Sequence, residues 1–151
     1  MEDFVDFLIR AKRETYAAGG ELATPSRPNS KDLRYAEGPY LYIDTYLGDI
    51  DFIGEEAVWK DDQALWGMNY YGWMKVDEIP DGFSKCLKGA LLTVPQDAPF
   101  RGPEEFHSGA FTYRCQWQGD VKRFTGHEEI LHGDVSIYEL VFHGGRAVHL
   151  L

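Results

Sequence analysis

Two glutamates, Glu56 and Glu128, are the residues of this sequence best placed to do chemistry. Glu56 shares the two-residue period of Phe52 and Val58, and Glu128 holds the equivalent place in a later stretch of the same pattern. Because side chains alternate between the two faces of a strand, each glutamate lies on an otherwise apolar face. A carboxylate in such a place is costly unless it is paired, so each glutamate needs a partner or a task.

Three roles are open for these glutamates. They can form internal ion pairs, for which Arg27 and Arg101 are the candidate partners because an arginine recurs in the corresponding Pro-containing connection of each half of the sequence. They can line a pocket for a cationic or hydrogen-bonding ligand. They can act as general bases of an enzyme, which requires a perturbed carboxylate within reach of a substrate.

Aromatic residues gather near the first glutamate and predict a ligand cage as an alternative to simple core packing. Such a cage would hold a cation against the faces of the rings. Asn69 is the member of this group that packing explains least. The predicted ligand-binding residues are Tyr40, Tyr42, Glu56, Trp59, Trp66, Asn69, Tyr70 and Glu128.

The histidines do not form a metal motif. His127 and His132 flank two glutamates, but they are five residues apart on a predicted strand and therefore point to opposite faces. A zinc-protease motif needs its histidines four apart on a helix. No nucleotide-binding loop, dinucleotide fingerprint or clustered thiol is present either. We therefore expect no metal and no cofactor, and we favour a binding module over an enzyme.

The elements that position these residues are predicted to form two units, each with one helix followed by four antiparallel strands. Tyr35–Ile50 aligns with Phe106–Val121, and Phe52–Gly72 aligns with Phe124–Gly144 with one extra residue between the segments. This pattern predicts a single α+β domain over residues 1–151, made of two pseudo-symmetric repeats at 1–73 and 80–148. The predicted strands are 32–37, 39–47, 51–59, 64–71, 104–108, 110–118, 121–131 and 135–142.

Each unit begins with a predicted amphipathic helix. In the first, Asp3 can cap a helix with an apolar stripe from Phe4 to Ala11, and Gly19-Gly20 would end it. In the second, Pro80-Asp81 opens a shorter helix that ends before Pro95. We expect both helices to cover one face of the strands.

The opposite face differs between the two units at their second strands. It is apolar in the first unit and polar in the second, so a pocket or a partner surface is expected on the first. The residues compared are Leu41, Ile43 and Leu47 against Thr112, Arg114 and Gln118.

Composition and charge limit the partners of the protein. The net charge of -10 over 151 residues argues against direct nucleic-acid binding, which depends on Lys and Arg. No signal peptide and no membrane-spanning run is recognisable. Cys86 and Cys115 match no disulfide or metal spacing, so a cytoplasmic setting is expected. A small molecule, a second copy of the chain or a separate regulatory protein are the partners left open, the last two through a protein-interaction surface.

Several runs of the sequence resemble a bacterial domain-of-unknown-function family, that of the DUF5680-like domains. The runs that carry the resemblance are 32–35, 40–48, 54–59, 68–72, 101–103 and 142–145. The family brings no activity and therefore no catalytic residue. Some of its members stand behind an N-terminal helix-turn-helix, which implies a sensor role beside a DNA-binding partner; this sequence starts directly at the predicted α+β domain.

Overall fold

Eight antiparallel strands form one continuous sheet. The computed structural model describes residues 2–17 and 21–150. The sheet order is β1-β2-β3-β4-β8-β7-β6-β5, and each strand begins within two residues of its predicted start. The strands are β1 Lys31–Glu37, β2 Tyr40–Gly48, β3 Phe52–Lys60, β4 Gln63–Met74, β5 Glu105–Ser108, β6 Phe111–Asp120, β7 Arg123–His132 and β8 Val135–Arg146.

The predicted fold class, an α+β domain of two helix-plus-four-strand repeats, is wrong, because the protein is mainly β. Strands β4 and β8 pair from Trp66↔Arg146 to Met74↔Tyr138, so the sheet has no break at the predicted boundary between the units. Hydrophobic periodicity identifies strands but does not show which strand edges will pair, and the pairing of β4 with β8 was therefore not foreseen.

Helical structure is confined to three short segments of the described chain. These are α1 Glu2–Lys12, a π-helix Arg13–Ala17 that continues it, and α2 Phe83–Leu92. The predicted helix stop at Gly19-Gly20 lies outside the described residues. None of the described helices has the length and apolar character needed to cross a membrane.

The core lies between these helices and one face of the sheet, which we call the helix face. Phe7 and Leu8 of α1 and Cys86 of α2 are completely buried, as is Tyr42 of β2 beneath them. Burial of a side chain such as Phe or Leu contributes about 1.5–3 kcal/mol, so this layer holds both helices to the sheet. The other side of the sheet, which we call the outer face, carries no helix among the described elements.

The connection between the π-helix and β1 bends around the edge of the sheet towards the outer face. Asp32 fixes it, because its buried carboxylate accepts hydrogen bonds from the hydroxyls of Ser26, Ser30 and Thr45 at 2.7–3.0 Å. Burial acts to raise the pKa of Asp32, but these hydrogen bonds hold it below its ordinary value. The connection thereby brings Arg27 to the outer face.

Candidate functional site

Five charged side chains lie buried together on the helix face, and we call them the ionic cluster. None of the five residues is more than 4% exposed. They come from α1, β2, β3, β7 and the loop before β5, so the whole fold contributes to the cluster. The members are Lys12, Asp44, Glu56, Arg101 and Glu128.

Glu56 is paired with Lys12. The Lys12 Nζ lies 2.7 Å from Glu56 Oε1 and also donates to the carbonyl oxygen of Phe100 at 2.7 Å. The Tyr42 hydroxyl donates a further hydrogen bond to Glu56 Oε1 at 2.6 Å. Burial lowers the pKa of Lys12, and the neighbouring charge of Glu56 opposes this effect. The predicted alternative partner, Arg27, lies on the other side of the sheet.

Glu128 is paired with Arg101 in a two-pronged ion pair. Arg101 donates from Nε and from a terminal nitrogen at 3.0 and 2.8 Å. The hydroxyls of Tyr113 and Tyr138 complete the coordination of the carboxylate. Burial acts to raise the pKa of Glu128, but the charge of Arg101 and these hydrogen bonds hold it below its ordinary value.

Asp44 is the one acid of the cluster without a cation of its own. The Tyr70 hydroxyl donates to its Oδ1 at 2.6 Å, and the Tyr16 hydroxyl oxygen lies 2.8 Å from its Oδ2. Burial and then the charge of Glu56 raise the pKa of Asp44 to about 7, against the hydrogen bonds from these tyrosines and the charge of Arg101. Asp44 therefore changes its charge near neutral pH.

The position of Tyr16 indicates where that proton lies. Its hydroxyl oxygen is 2.8 Å from Asp44 and 3.0 Å from Glu56 Oε2, but a hydroxyl has only one proton to donate. If Asp44 is protonated, it donates to Tyr16 and Tyr16 donates to Glu56, so both contacts are hydrogen bonds. If Asp44 is ionised, two carboxylates share one donor.

The sum of charges leads to the same conclusion. Three carboxylates and two cations, all buried, leave one negative charge in excess when every group is ionised. An uncompensated buried charge is expensive, so the cluster has a strong tendency to bind a proton or another cation beside Asp44.

A cavity of about 370 Å³ adjoins Asp44 between the helices and the sheet, and we call it the inner cavity. Tyr16, Tyr70 and Arg101 form its polar wall next to Asp44. The Arg101 guanidinium lies over the Tyr70 ring at 5.6 Å, which connects the Arg101–Glu128 ion pair to Asp44 through the Tyr70 hydrogen bond. The remaining walls are mostly apolar and include Leu33, Tyr46, Phe52, Leu87 and Leu91. One exposed acid and one exposed cation, Asp49 and Lys88, also border the cavity.

A second depression, of about 560 Å³, lies on the outer face, and we call it the outer groove. Trp59 and Ile43 border one end of it, and Asn69 and Tyr71 lie towards the other. The groove falls on the strands where the sequence predicted a pocket or a partner surface, from their apolar outward residues.

The sheet separates the predicted ligand-binding residues into two groups. Tyr42, Glu56, Tyr70 and Glu128 belong to the ionic cluster or its hydrogen-bonding shell. Trp59 and Asn69 border the outer groove.

The two remaining members of the predicted set pack in the hydrophobic layer of the helix face. Tyr40 stacks on Phe7 with ring centres 4.9 Å apart. Trp66 packs between Phe4 and Phe124, and its indole N–H donates to a backbone carbonyl.

Three residues of the site were not foreseen from the sequence, although each had a signal. Asp44 shares the two-residue period of Tyr42 and Tyr46, which is the pattern that identified Glu56. Lys12 continues the four-residue spacing of Phe4 and Leu8 along the apolar stripe of α1. Tyr16 follows at the same spacing, in the π-helix that extends α1.

The geometry gives Glu56 and Glu128 no access to a substrate. Both side chains are completely buried, both are held in ion pairs, and neither lines the inner cavity or the outer groove. The role of general base considered for them therefore has no support in the site. Within residues 2–17 and 21–150, no group of three or more His, Cys, Asp or Glu side chains is arranged to hold a metal.

Comparison with known proteins identifies one sequence family. Residues 44–147 match the family described as Domain of unknown function (DUF5680), a segment that holds the second half of β2 and all of β3 to β8. Neither the search of curated proteins nor that of solved structures finds a match.

Proposed function

Because the chain belongs to the family of the Domain of unknown function (DUF5680), whose description names no activity, we propose a function from the geometry alone. The domain binds a small organic amine in the inner cavity, with Asp44 as the anionic group that pairs with the ammonium. The observation that carries the proposal is the excess carboxylate of Asp44 at the wall of a cavity. Asp44 is completely buried, like Glu56, but it borders the cavity, and the ammonium reaches it by displacing the Tyr16 hydroxyl.

Charge supports this ligand class. An ammonium beside Asp44 replaces the proton that Asp44 otherwise holds and brings the cluster to three negative and three positive charges. Arg101 does not repel it strongly, because its own charge is offset by the two-pronged pair with Glu128. An anionic ligand would instead add a second uncompensated negative charge to a buried cluster.

The shape and lining of the inner cavity limit the body of the ligand. Its volume of about 370 Å³ lies at the lower end of the usual range for small-molecule sites, so a compact molecule is expected. Tyr46, Phe52 and Tyr70 present aromatic surface that suits a cation or a flat apolar body. Leu87 and Leu91 of α2 close the apolar side.

The location of Tyr16 gives the site a way to report binding. Tyr16 lies on the π-helix that continues α1, and its hydroxyl contacts Asp44. An ammonium that replaces the Tyr16 hydroxyl beside Asp44 releases Tyr16 and removes one contact between the sheet and the helical segment that continues α1. We therefore propose a cytoplasmic sensor module, which passes the change to a second copy or to a separate helix-turn-helix protein.

A thermal-denaturation experiment with matched ligands tests the proposal. 2-Phenylethylamine and tryptamine are expected to raise the melting temperature of the protein by several degrees at saturation, whereas uncharged 2-phenylethanol is not. Since a proton competes for Asp44, the amine affinity at pH 5 is expected to be about 100-fold weaker than at pH 8, given a pKa of about 7.

Two variants locate the effect. Asp44→Asn keeps the shape of the side chain but cannot hold a charge, so it is expected to abolish the amine response. Asp62→Asn is the matched control, because it removes one negative charge from an exposed turn. Asp62 has a left-handed backbone conformation, which asparagine tolerates. Equal responses to the alcohol and the amine, or an amine response that survives Asp44→Asn, would contradict the proposal.

A further inference from the structure

Gly67 in the middle of β4 has no explanation within the fold. Its backbone is not among the glycines with a positive φ. A Cβ built on it would come no closer than 3.4 Å to another atom, the carbonyl oxygen of Glu56, and would meet no side chain. Glycine weakens a strand interior, where it often marks a β-bulge or a place that a ligand or another backbone approaches closely. A β-bulge lies nearby, between Val58 and Trp59, but Gly67 itself keeps its regular pairing with Ala57.

Other glycines inside the strands have a visible reason to lack a side chain. A Cβ on Gly54 would collide with the Tyr70 ring, and one on Gly126 would collide with Phe142. Both therefore make room for a neighbouring aromatic residue on the helix face. Gly67 makes room for nothing in the described part of the chain. It shares the outer face with Asn69 and is paired with Ala57, and both of these residues line the outer groove.

Ala57 forms part of the floor of that groove, and Gly67 continues this flat surface at the margin of the groove. The two residues are directly paired across β3 and β4. Trp59 stands beyond the floor on one side, half-buried, with its indole available as a wall. A flat molecule can reach the backbone here, whereas a side chain at position 67 would keep it away.

A row of polar side chains borders the floor on the other side. Glu55, Asn69 and His143 are in register across β3, β4 and β8. Among the described residues, neither the Glu55 nor the Asn69 side chain has a hydrogen-bond partner. The Glu55 carboxylate accepts hydrogen bonds from N–H groups, and the Asn69 amide both donates and accepts them. The row can therefore form hydrogen bonds with the edge of a nitrogen heterocycle.

We propose that the outer groove binds a planar heteroaromatic molecule bearing an N–H group, which lies flat on Ala57 and Gly67 and hydrogen-bonds to Glu55 and Asn69. The groove volume of about 560 Å³ accommodates a ring system of this kind. This site lies on the opposite face of the sheet from Asp44, so it stands or falls independently of amine binding.

Binding of benzimidazole, indazole and adenine, followed by two-dimensional NMR on the ¹⁵N-labelled protein, tests this site. We expect the backbone amide of Gly67 and the side-chain amide of Asn69 to shift on titration. Gly67→Val is expected to weaken binding at least ten-fold by covering the floor, and Glu55→Gln about ten-fold by removing a charged acceptor. Gln116→Val places the same side chain on the outer face of β6, away from the groove, and is expected to leave binding unchanged.

The melting temperatures of Gly67 variants show whether this glycine is needed for ligand binding or for the fold. Because the space beside Gly67 admits a side chain and strands favour β-branched residues, Gly67→Val and Gly67→Ala should melt at or above the wild-type temperature. A fall of several degrees in both variants would show that the fold needs this glycine and would overturn the proposal. The proposal would also be overturned if the Gly67 and Asn69 amides did not shift at millimolar concentrations of the probe, or if Gly67→Val bound the probe as tightly as the wild type. A wild-type dimer that dissociates in Gly67→Val would overturn it as well, because this face would then bind a second copy of the chain.

Discussion

The Asp44→Asn substitution tests whether Asp44 is neutral in the folded protein. Asparagine has nearly the shape of protonated aspartate and keeps an oxygen that can accept the Tyr70 hydrogen bond. It cannot ionise, so it fixes the position in the neutral state that the cluster favours. The variant should therefore retain its stability where the wild type loses it.

The size of the effect follows from the shift in pKa. Asp44 has a pKa of about 7 in the folded protein and an ordinary value of 3.8, so the folded state binds its proton more tightly. Its contribution to stability is thus present below pH 3.8 and is lost progressively as the pH rises towards 7. Between pH 5 and pH 7 two pH units at 1.36 kcal/mol each give a loss of roughly 2–3 kcal/mol.

Urea denaturation of both proteins at pH 5, 6, 7 and 8 measures this difference. The free energy of unfolding of the wild type should fall relative to that of Asp44→Asn by roughly 2–3 kcal/mol across the range, with most of the change complete by pH 7. Taking the difference removes the contributions of other titrating groups that the two proteins share. Parallel pH profiles would refute the assignment of a raised pKa to Asp44.

Further predictions concern the partners of this cluster and the glycines. Lys12→Met should lower the free energy of unfolding, measured by urea denaturation, by about 3 kcal/mol or more, because it leaves Glu56 buried and unpaired. The double variant with Glu56→Gln should recover much of this loss. If it recovers none, the Lys12–Glu56 pair does not contribute as described. Tyr16→Phe should cost about 1–2 kcal/mol in urea denaturation, because Asp44 and Glu56 both lose a contact with the Tyr16 hydroxyl; an unchanged free energy of unfolding would contradict this. Gly126→Ala should lower the melting temperature where Gly67→Ala does not, because its Cβ meets the Phe142 ring; equal melting temperatures would show that this contact relaxes freely.

The sequence allowed the local elements and part of the site to be predicted. Alternation along the strands located them and placed Glu56 and Glu128 on the covered face, because the two-residue period depends only on backbone geometry. The pairing of Glu128 with Arg101 was among the predicted alternatives. The continuous mainly β sheet was not predicted, because the contact of β4 with β8 joins residues far apart in the chain and leaves no local pattern.

The missing parts of the site depend on distant packing. Glu56 receives Lys12 from α1, 44 residues away, and Asp44 gains its raised pKa only once Glu56 and the covering helices surround it. The split of the aromatic residues between the two faces of the sheet follows the two-residue period instead. That period places Trp59 on the face opposite Glu56 and Val58, so a single cage holding both Trp59 and Glu56 was inconsistent with it.

The titration of the Asp44 carboxyl carbon by ¹³C NMR, without and with 2-phenylethylamine, tests the central idea most directly. A midpoint near pH 7 is expected for the free protein, and the amine should move it to lower pH by competing with the proton. A midpoint near the ordinary 3.8, or one that the amine leaves in place, would show that the cluster holds no surplus negative charge for a ligand to neutralise.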